Sequence, residues 1–208
     1  MITVGVLDGA WKLWNRLGAG MTLALLPAIF AAGCLAAILA VAIVKWIVVG
    51  RYRPFEQPFW SLFVWRLEFV NALFEFFATP IALEAFQGTP FLPWYLRLLG
   101  ARVGRGVYIA STGFLEFDLV EIGDRSILNK ECILQTHLFE DRVLKGAKLR
   151  VGAGCEIGTQ SVVLYDTEME TGARLGSLSL LMKGETLPAG SVWVGSPLAS
   201  GNGCCSTD

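Results

Sequence analysis

The sequence predicts a mainly-β protein in which a parallel β-helix built from hexapeptide repeats follows one or two transmembrane α-helices. Apolar residues recur at every sixth position between Val103 and Trp193, with two interruptions, as in proteins whose short strands stack coil upon coil. Residues 21–44 carry no charged side chain and are long enough to cross a bilayer. The whole chain is 54% hydrophobic and only 17% charged, which is more apolar than an ordinary soluble domain.

The N-terminal part of the chain is expected to contact the membrane. Residues 1–20 contain Trp11 and Trp14 in a short amphipathic pattern and are expected to lie at the membrane surface. The uncharged run of residues 21–44 is expected to be a transmembrane helix. A cleaved signal peptide is the competing interpretation, but the run is longer than a signal-peptide core and begins about twenty residues into the chain.

A second apolar stretch, residues 59–86, completes a predicted membrane domain of residues 21–89. It contains Arg66 and Glu68, and charges at membrane depth usually face a partner or a water-filled cavity. Two alternatives therefore stay open: a second spanning helix whose charges are shielded by another helix or subunit, or an interfacial or re-entrant helix. With two spans, the multi-pass arrangement places the N-terminus and the β-helix on one side, and the positive-inside rule assigns that side to the cytoplasm.

The predicted β-helix domain occupies residues 90–198. Pro93 is expected to begin a short apolar helix, residues 93–100, that covers the open edge of the first coil and ends at a glycine. The last residues, 199–208, are polar and contain glycine, so we expect them to be disordered.

The hexad register divides the solenoid into coils of three strands each. Leu115 opens the third hexad of the first coil, Glu121 is a one-residue slip, and residues 140–150 form an insertion loop. Insertions in a solenoid lie on its face, which is often the binding face. The predicted coils are residues 103–120, 122–139, 151–168 and 169–186, followed by a partial coil to about residue 198.

The chain has a single histidine, His137, immediately before this insertion. A neutral imidazole can accept a proton from an amine or hydroxyl that attacks an acyl carbon, and a neighbouring carboxylate can fix its tautomer. We therefore expect His137, Glu140 and Asp141 to be the catalytic residues of an acyl transfer, with Arg142 binding substrate. A surface histidine without a role is the alternative.

Several other chemistries are disfavoured by the composition. One histidine and five cysteines without metal-ligand spacing give no set of zinc ligands, so no metal is expected. The chain contains no phosphate-binding glycine loop of the common spacings and no G-x-S-x-G motif. The net charge is −1 and there is no basic aromatic patch, so no nucleic-acid partner is expected.

Longer sequence blocks resemble a known enzyme family. They are FLPWYLRLLGARVGRGVYI, FDLVEIGD, LQTHLFEDRVLK and the region that contains GETLPAG, together with the preceding WRLEFVNALFEFFATPIALEAFQGTP. Over roughly residues 59–198 the chain resembles the C-terminal hexapeptide-repeat domains of membrane-bound nonribosomal-peptide-synthetase-like enzymes, the ε-poly-L-lysine synthase family. The resemblance implies a membrane-anchored, left-handed β-helix of the hexapeptide-repeat acyltransferase superfamily.

The resemblance also implies a reaction. In that family an adenylation domain activates an amino acid, a carrier domain holds it as a phosphopantetheine thioester, and three repeat domains with six membrane helices form amide bonds. By position, His137 becomes the candidate base, Glu140 and Asp141 its orienting residues, and Asp118 a substrate-binding residue. No tightly bound cofactor is expected, and the donor is a carrier-bound phosphopantetheine thioester or a CoA thioester.

This chain departs from the family pattern because it has one repeat domain and neither an adenylation nor a carrier domain. Donor activation would then occur on a partner, a carrier protein or adenylation enzyme, unless the chain is a fragment. Three copies would rebuild the six-helix arrangement, so a homotrimer in contact with membrane lipid is expected. Two functions stay open: an acyl or aminoacyl transferase that forms an amide or ester bond, and a non-catalytic trimeric membrane scaffold that docks partner proteins. The sequence names neither donor nor acceptor.

Overall fold

The computed structural model describes residues 19–200, with side chains from residue 21 onwards except those of residues 22 and 23. The predicted surface segment at residues 1–20 lies almost entirely outside this range, as does most of the predicted disordered tail. The helices are α1 (Ala19–Val48), α2 (Leu62–Leu73), the single turn α3 (Thr79–Ile81) and α4 (Phe91–Leu99). A π-helical turn spans Phe74–Ala78, and 3-10 turns span Leu83–Phe86 and Phe117–Leu119.

The described chain also contains eighteen short strands joined by turns and loops. Strand β1 precedes α2, and the others follow α4. The strands are β1 (Phe55–Pro58), β2 (Arg102–Val103), β3 (Tyr108–Ile109), β4 (Gly113–Phe114), β5 (Val120–Ile122), β6 (Ile127–Leu128), β7 (Ile133–Gln135), β8 (His137–Glu140), β9 (Val143–Gly146), β10 (Leu149–Val151), β11 (Glu156–Ile157), β12 (Val162–Leu164), β13 (Thr167–Met169), β14 (Arg174–Leu175), β15 (Leu180–Leu181), β16 (Thr186–Leu187), β17 (Val192–Val194) and β18 (Ala199–Ser200).

Apart from β8 and β9, the strands after α4 stack into a parallel β-helix with three faces. The first face orders the strands β16-β13-β10-β5-β2, the second β18-β17-β14-β11-β6-β3 and the third β15-β12-β7-β4, and all neighbours are parallel except β17 and β18. The hexad openers pair with one another from coil to coil, as Ile109 does with Leu128 and Ile157 with Leu175. Their side chains fill the interior. The predicted parallel β-helix is confirmed.

The register of the first coil differs from the sequence prediction at one position. Phe114, not Leu115, pairs with Leu134 on the third face and is buried. The slip expected at Glu121 does not occur there, because Glu121 is in register between Arg102 and Arg150 in β5. The extra residue is instead accommodated by a left-handed backbone at Glu116, with φ of 32°, and by the 3-10 turn that follows it.

The insertion after the second coil is a β-hairpin rather than the expected loop at residues 140–150. It begins at His137, and β8 and β9 pair antiparallel around a turn at Asp141 and Arg142. Both turn residues have positive φ angles, 50° and 64°. Strand β1 adds to the free edge of β9, from Phe55 opposite Gly146 to Pro58 opposite Val143. The segment before α2 therefore holds the hairpin that carries His137.

Helix α4 lies between α1 and the first coil, close to the predicted capping position. Leu92, Leu96 and Leu99 are fully buried along one face. The Tyr95 hydroxyl donates to the Ile38 carbonyl in α1 at 3.0 Å. Gly100 ends the helix in a left-handed conformation with φ of 111°, and a side chain there would collide with the Asp118 carboxylate. Both the left-handed backbone and the lack of space for a Cβ atom therefore favour glycine at position 100.

One N-terminal helix is long and apolar enough to cross a membrane, over Ala24–Val48, as predicted for residues 21–44. The second apolar stretch, residues 59–86, is broken into α2, the π-helical turn, α3 and a 3-10 turn. Pro80 lacks an amide hydrogen, which disfavours a regular α-helix at this point, and the π-helical turn ends two residues before it. Among residues 19–200, α1 alone meets the length and composition expected of a span.

Contacts between the linker after α1 and the solenoid bear on the expected two-span arrangement. Lys45 Nζ lies 2.6 Å from Asp118 Oδ2 in the first coil, and β1 pairs with the hairpin. The linker and the β-helix must therefore lie on the same side of any bilayer that α1 crosses. Residues 59–86 begin and end beside segments that contact the solenoid, an arrangement that fits the interfacial or re-entrant alternative and not a single second crossing.

Candidate functional site

The histidine side chain lies in a buried hydrogen-bonded pair. His137 Nδ1 is 2.8 Å from Glu116 Oε1, and the two side chains are 9% and 0% exposed. Glu116 reaches the imidazole because the left-handed backbone at its position turns its side chain towards the start of the hairpin. A non-glycine residue in that conformation is uncommon, and such conformations cluster at functional sites.

The Glu116 carboxylate has three hydrogen-bond partners from two parts of the chain, α2 and the start of the hairpin. Oε1 accepts from the imidazole and from the Asn71 amide of α2 at 3.2 Å, and Oε2 accepts from the hydroxyl of Thr136. Buried carboxylates are costly unless their oxygens are bonded in this way. The bonds fix the carboxylate, and the carboxylate in turn fixes the ring.

The arrangement determines which imidazole nitrogen is available. When Nδ1 donates its proton to Glu116, Nε2 carries the lone pair and can accept a proton. Among the described residues no side chain or backbone group hydrogen-bonds Nε2. Burial alone would lower the pKa of His137, but the hydrogen bond to Glu116 and the charges of Glu116 and Glu68 raise it, and the net shift is upwards.

An aromatic pocket lies beside the imidazole. It has a volume of about 390 Å³ and is lined by Phe59, Trp60, Val64, Trp65, Glu68 and Phe139. The Phe139 ring meets the His137 imidazole edge-on with centroids 5.8 Å apart, and it meets the Phe59 ring at 5.2 Å. Glu68 is the charged residue of the lining. The pocket is therefore apolar with one carboxylate at its wall.

The other sequence-predicted catalytic residues do not contact the imidazole. Glu140 lies at the far end of β8, where it bonds Lys183 and faces Lys145 at 3.7 Å. The Lys183 hydrogen bond holds the pKa of the Glu140 carboxyl below its ordinary value. Asp141 and Arg142 are exposed at the hairpin turn. In an antiparallel hairpin the turn and the open end are separated by the strand length, so these residues point away from His137.

Asp118, predicted to bind substrate, is engaged in the fold. Its Oδ2 accepts from Lys45 at 2.6 Å and from the backbone N–H of Tyr52 at 3.2 Å. The Lys45 side chain is fully buried, and its ammonium also lies 3.8 Å from the centre of the Trp46 ring. This ion pair joins α1 to the first coil, so Asp118 holds α1 against the solenoid.

Sequence reasoning missed Glu116, Asn71 and Glu68 as parts of the site. One signal for Glu116 was present: it is an ionisable residue within the apolar run GFLEFDLV of the solenoid. A carboxylate in such a position needs buried partners. Asn71 and Glu68 are three positions apart on α2 and share a face, but only the packing of α2 against the hairpin shows which residues they meet. No group of His, Cys, Asp and Glu within residues 19–200 is arranged to hold a metal ion.

A much longer protein is similar to most of this chain. The delta-poly-L-ornithine synthetase of Acinetobacter baumannii (strain AB307-0294) is 44% identical over 177 residues, which are 85% of this chain and 13% of that protein. The chain thus spans about an eighth of the length of this relative. No family model matches the chain.

Two solved acetyltransferase structures are similar in part. The serine acetyltransferase of Neisseria gonorrhoeae is 17% identical with a TM-score of 0.41, and the similarity covers 92% of this chain and 80% of that one. The maltose O-acetyltransferase of Clostridium difficile 630 is 16% identical with a TM-score of 0.39, and covers 51% and 71%.

The raised pKa of His137 gives a first prediction. Because the chain has one histidine, a protein labelled with ¹³Cε1-histidine gives one imidazole Cε1 resonance whose titration can be followed by NMR. We expect a midpoint above the ordinary value of about 6.5. The Glu116→Gln variant removes the charge that favours the imidazolium, so its midpoint should fall below that of the wild type.

The matched control is Glu140→Gln, which makes the same chemical change in a carboxylate that does not touch the ring. It should leave the midpoint where it is. Equal midpoints in the wild type and the Glu116→Gln variant would mean that the carboxylate does not act on the imidazole in solution.

Proposed function

We propose that this chain is a membrane-anchored acyl or aminoacyl transferase that forms an amide or ester bond from a thioester. The observation that carries the proposal is the buried His137–Glu116 pair, in which Nε2 has no hydrogen-bond partner among the described residues; Phe139, whose ring meets the imidazole edge-on, lines an apolar pocket. A scaffold needs no buried carboxylate to fix the tautomer of a histidine, and burying that carboxylate is costly. The similarity to part of a poly-ornithine synthetase supports the same reaction class.

The proposed step uses His137 as general base. The acceptor amine attacks the thioester carbonyl carbon while Nε2 takes one of its protons, and the C–S bond then breaks as the amide forms. The imidazolium returns the proton to the departing thiolate, so the ring ends the cycle neutral. Glu116 stays ionised and stabilises the imidazolium, as the carboxylate does in other carboxylate–histidine pairs.

The aromatic pocket is proposed to receive the acceptor. Faces of aromatic rings attract ammonium groups, and Glu68 adds a negative charge at the same wall. The relative is named for a polymer of ornithine, an amino acid with a second amine on its side chain. An acceptor with one amine bound in the pocket and another beside His137 fits this arrangement.

The remaining features of the proposal concern donor and assembly. We propose a carrier-bound phosphopantetheine thioester or a CoA thioester as donor, loaded by a partner carrier protein or adenylation enzyme. We also propose a left-handed solenoid and a homotrimer. In sequence, Lys12 and Arg16 precede the apolar run, whereas Lys45, Arg51 and Arg53 stand at its end or follow it and contact or line the solenoid side, so the positive-inside rule favours a cytoplasmic β-helix.

A transfer assay tests the proposal. The full chain in lipid nanodiscs is mixed with ornithine as acceptor and, in separate reactions, with acetyl-CoA or with ornithinyl-phosphopantetheine, and products are measured by mass spectrometry. We expect an acylated ornithine from at least one donor, at a rate well above the reaction without protein. Norvaline, which lacks the side-chain amine, should be acylated more slowly. A folded protein that accelerates neither reaction would favour the scaffold.

A further inference from the structure

A second concave site lies on the opposite side of the Glu116–Asp118 segment, where α1 ends. The cleft has a volume of about 470 Å³ and is formed by the last turn of α1, the linker that follows it, the end of α4 and the first two coils. Trp46 and Tyr52 form part of its wall, and Tyr52 is 4% exposed. Its cationic lining residues are Arg51, Arg53, Arg97, Arg102 and Lys148.

The charges of this cleft are not balanced by its own carboxylate. Asp118 is the acidic residue of the lining, and it already forms a salt bridge with the buried Lys45, which is not part of the lining. Arg102 and Lys148 share Glu121, at 2.9 and 3.3 Å, and the same carboxylate also lies 3.5 Å from Arg150. One carboxylate facing three cations leaves an excess of positive charge.

The two arginines of the linker add to that excess. Within residues 19–200, no carboxylate forms a salt bridge with Arg51 or Arg53, and both side chains are exposed. Arg97 has only two of its five N–H donors committed, to the carbonyls of Val103 and Gly104. Arginine forks match the oxygens of a phosphate group.

The cleft lies at the C-terminal end of the apolar segment of α1, and this fixes its depth in a bilayer that α1 crosses. Arg51 and Arg53 follow the apolar segment Ala24–Val48 within five residues, so they lie at headgroup depth if α1 spans the membrane. Trp46, the aromatic wall of the cleft, is the kind of residue found at that interface. Basic residues directly after a span are typical of sites for anionic headgroups.

We propose that this cleft binds a phosphate group, with the phosphate of an anionic phospholipid as the source that its position favours. The single negative charge of the bound phosphate would offset part of the positive charge of Arg51 and Arg53 and hold the end of α4 and the first coil against the membrane surface. The site is separate from His137, and the inference does not depend on the transferase activity.

Binding of two short-chain lipids tests the proposal. Dihexanoyl phosphatidylglycerol and dihexanoyl phosphatidylcholine are titrated into the detergent-solubilised full chain, and adducts are measured by native mass spectrometry. The wild type should retain the anionic lipid preferentially. The Arg51→Gln/Arg53→Gln variant should bind it roughly 30-fold more weakly, about fivefold for each cation lost near an anionic headgroup. The matched control, Arg125→Gln/Arg174→Gln, removes two exposed arginines of the solenoid that do not line the cleft and should bind like the wild type.

Competition by inorganic pyrophosphate identifies the source of the phosphate. If pyrophosphate displaces phosphatidylglycerol from the wild type but has no effect on the linker variant, the cleft accepts soluble phosphates too. If it does not compete, the lipid is the ligand. Equal affinities for phosphatidylglycerol in the linker variant and the control variant would overturn the proposal, because binding would then follow net charge and not the cleft.

Discussion

The His137→Ala variant is expected to turn over roughly 10²- to 10⁴-fold more slowly than the wild type, which is the usual contribution of a positioned general base. The imidazole is buried against Glu116, and the sequence contains no other histidine that could replace it. The measurement is the initial rate of acylated ornithine with the donor that the wild type uses. Rates should be compared above the His137 midpoint, where the wild-type base is neutral, because its activity rises as pH increases through that midpoint.

Two controls separate a catalytic role from a structural one. The oligomeric state of the His137→Ala protein should stay that of the wild type. Its melting temperature should fall, because Glu116 loses one of its three hydrogen-bond partners and keeps Asn71 and Thr136, so the rates are compared at a temperature at which circular dichroism shows both proteins folded. Glu116→Gln should slow transfer less than His137→Ala and move the rising limb of the pH profile to lower pH, whereas Glu140→Gln should change neither. Full transfer activity in the His137→Ala protein would rule out the proposed base.

The largest effect on stability is expected at the ion pair between α1 and the first coil. Lys45→Met leaves the Asp118 carboxylate largely buried without its cation, which should lower the free energy of unfolding by about 3–5 kcal/mol. Melting of the full chain in detergent, followed by near-ultraviolet circular dichroism, measures this. The double variant Lys45→Met/Asp118→Asn removes both charges, keeps an acceptor for the Tyr52 N–H, and should recover much of the loss.

The comparison of the single and double variants is decisive for the structural role. A Lys45→Met protein that melts like the wild type would mean that the pair does not hold the two parts together in solution. A double variant that is no more stable than the single one would mean that lost packing of the lysine stem, not the orphaned charge, causes the effect.

The sequence predicted the solenoid well because its physical cause is local. Each opener must be apolar to face the interior, so Ile109, Leu128 and Ile157 identify their own positions without knowledge of the rest of the chain. Small residues such as Ser126 and Ala173 are buried for the same reason. The predicted register was wrong where the backbone departs from the regular hexad. With the left-handed conformation at Glu116, Phe114 and not Leu115 occupies the interior position opposite Leu134.

Of the residues that form the candidate site, the sequence analysis identified only His137. The partners of His137 come from a residue 21 positions earlier and, through Glu116, from α2, and no local pattern encodes those distances. Glu140 and Asp141 were chosen because they are near in sequence, but a hairpin carries them away from the imidazole. The arrangement of residues 59–86 also depends on contacts distant in sequence. Their hydrophobicity fits a transmembrane span, but the pairing of β1 with β9 keeps the start of this segment at the solenoid.

The separations along the chain also imply an order of folding. Neighbouring coils meet after about one coil of chain, as Val151 and Met169 do, whereas the Asn71–Glu116 bond closes a loop of 45 residues and the Lys45–Asp118 pair one of 73. Closing longer loops costs more entropy, so coil stacking should precede docking of the helices. The Glu116 carboxylate would then gain its hydrogen bond from Asn71 only in the last step of folding. A solenoid whose helices have not yet docked would be folded, but its proposed general base would not yet be held by a fully hydrogen-bonded carboxylate.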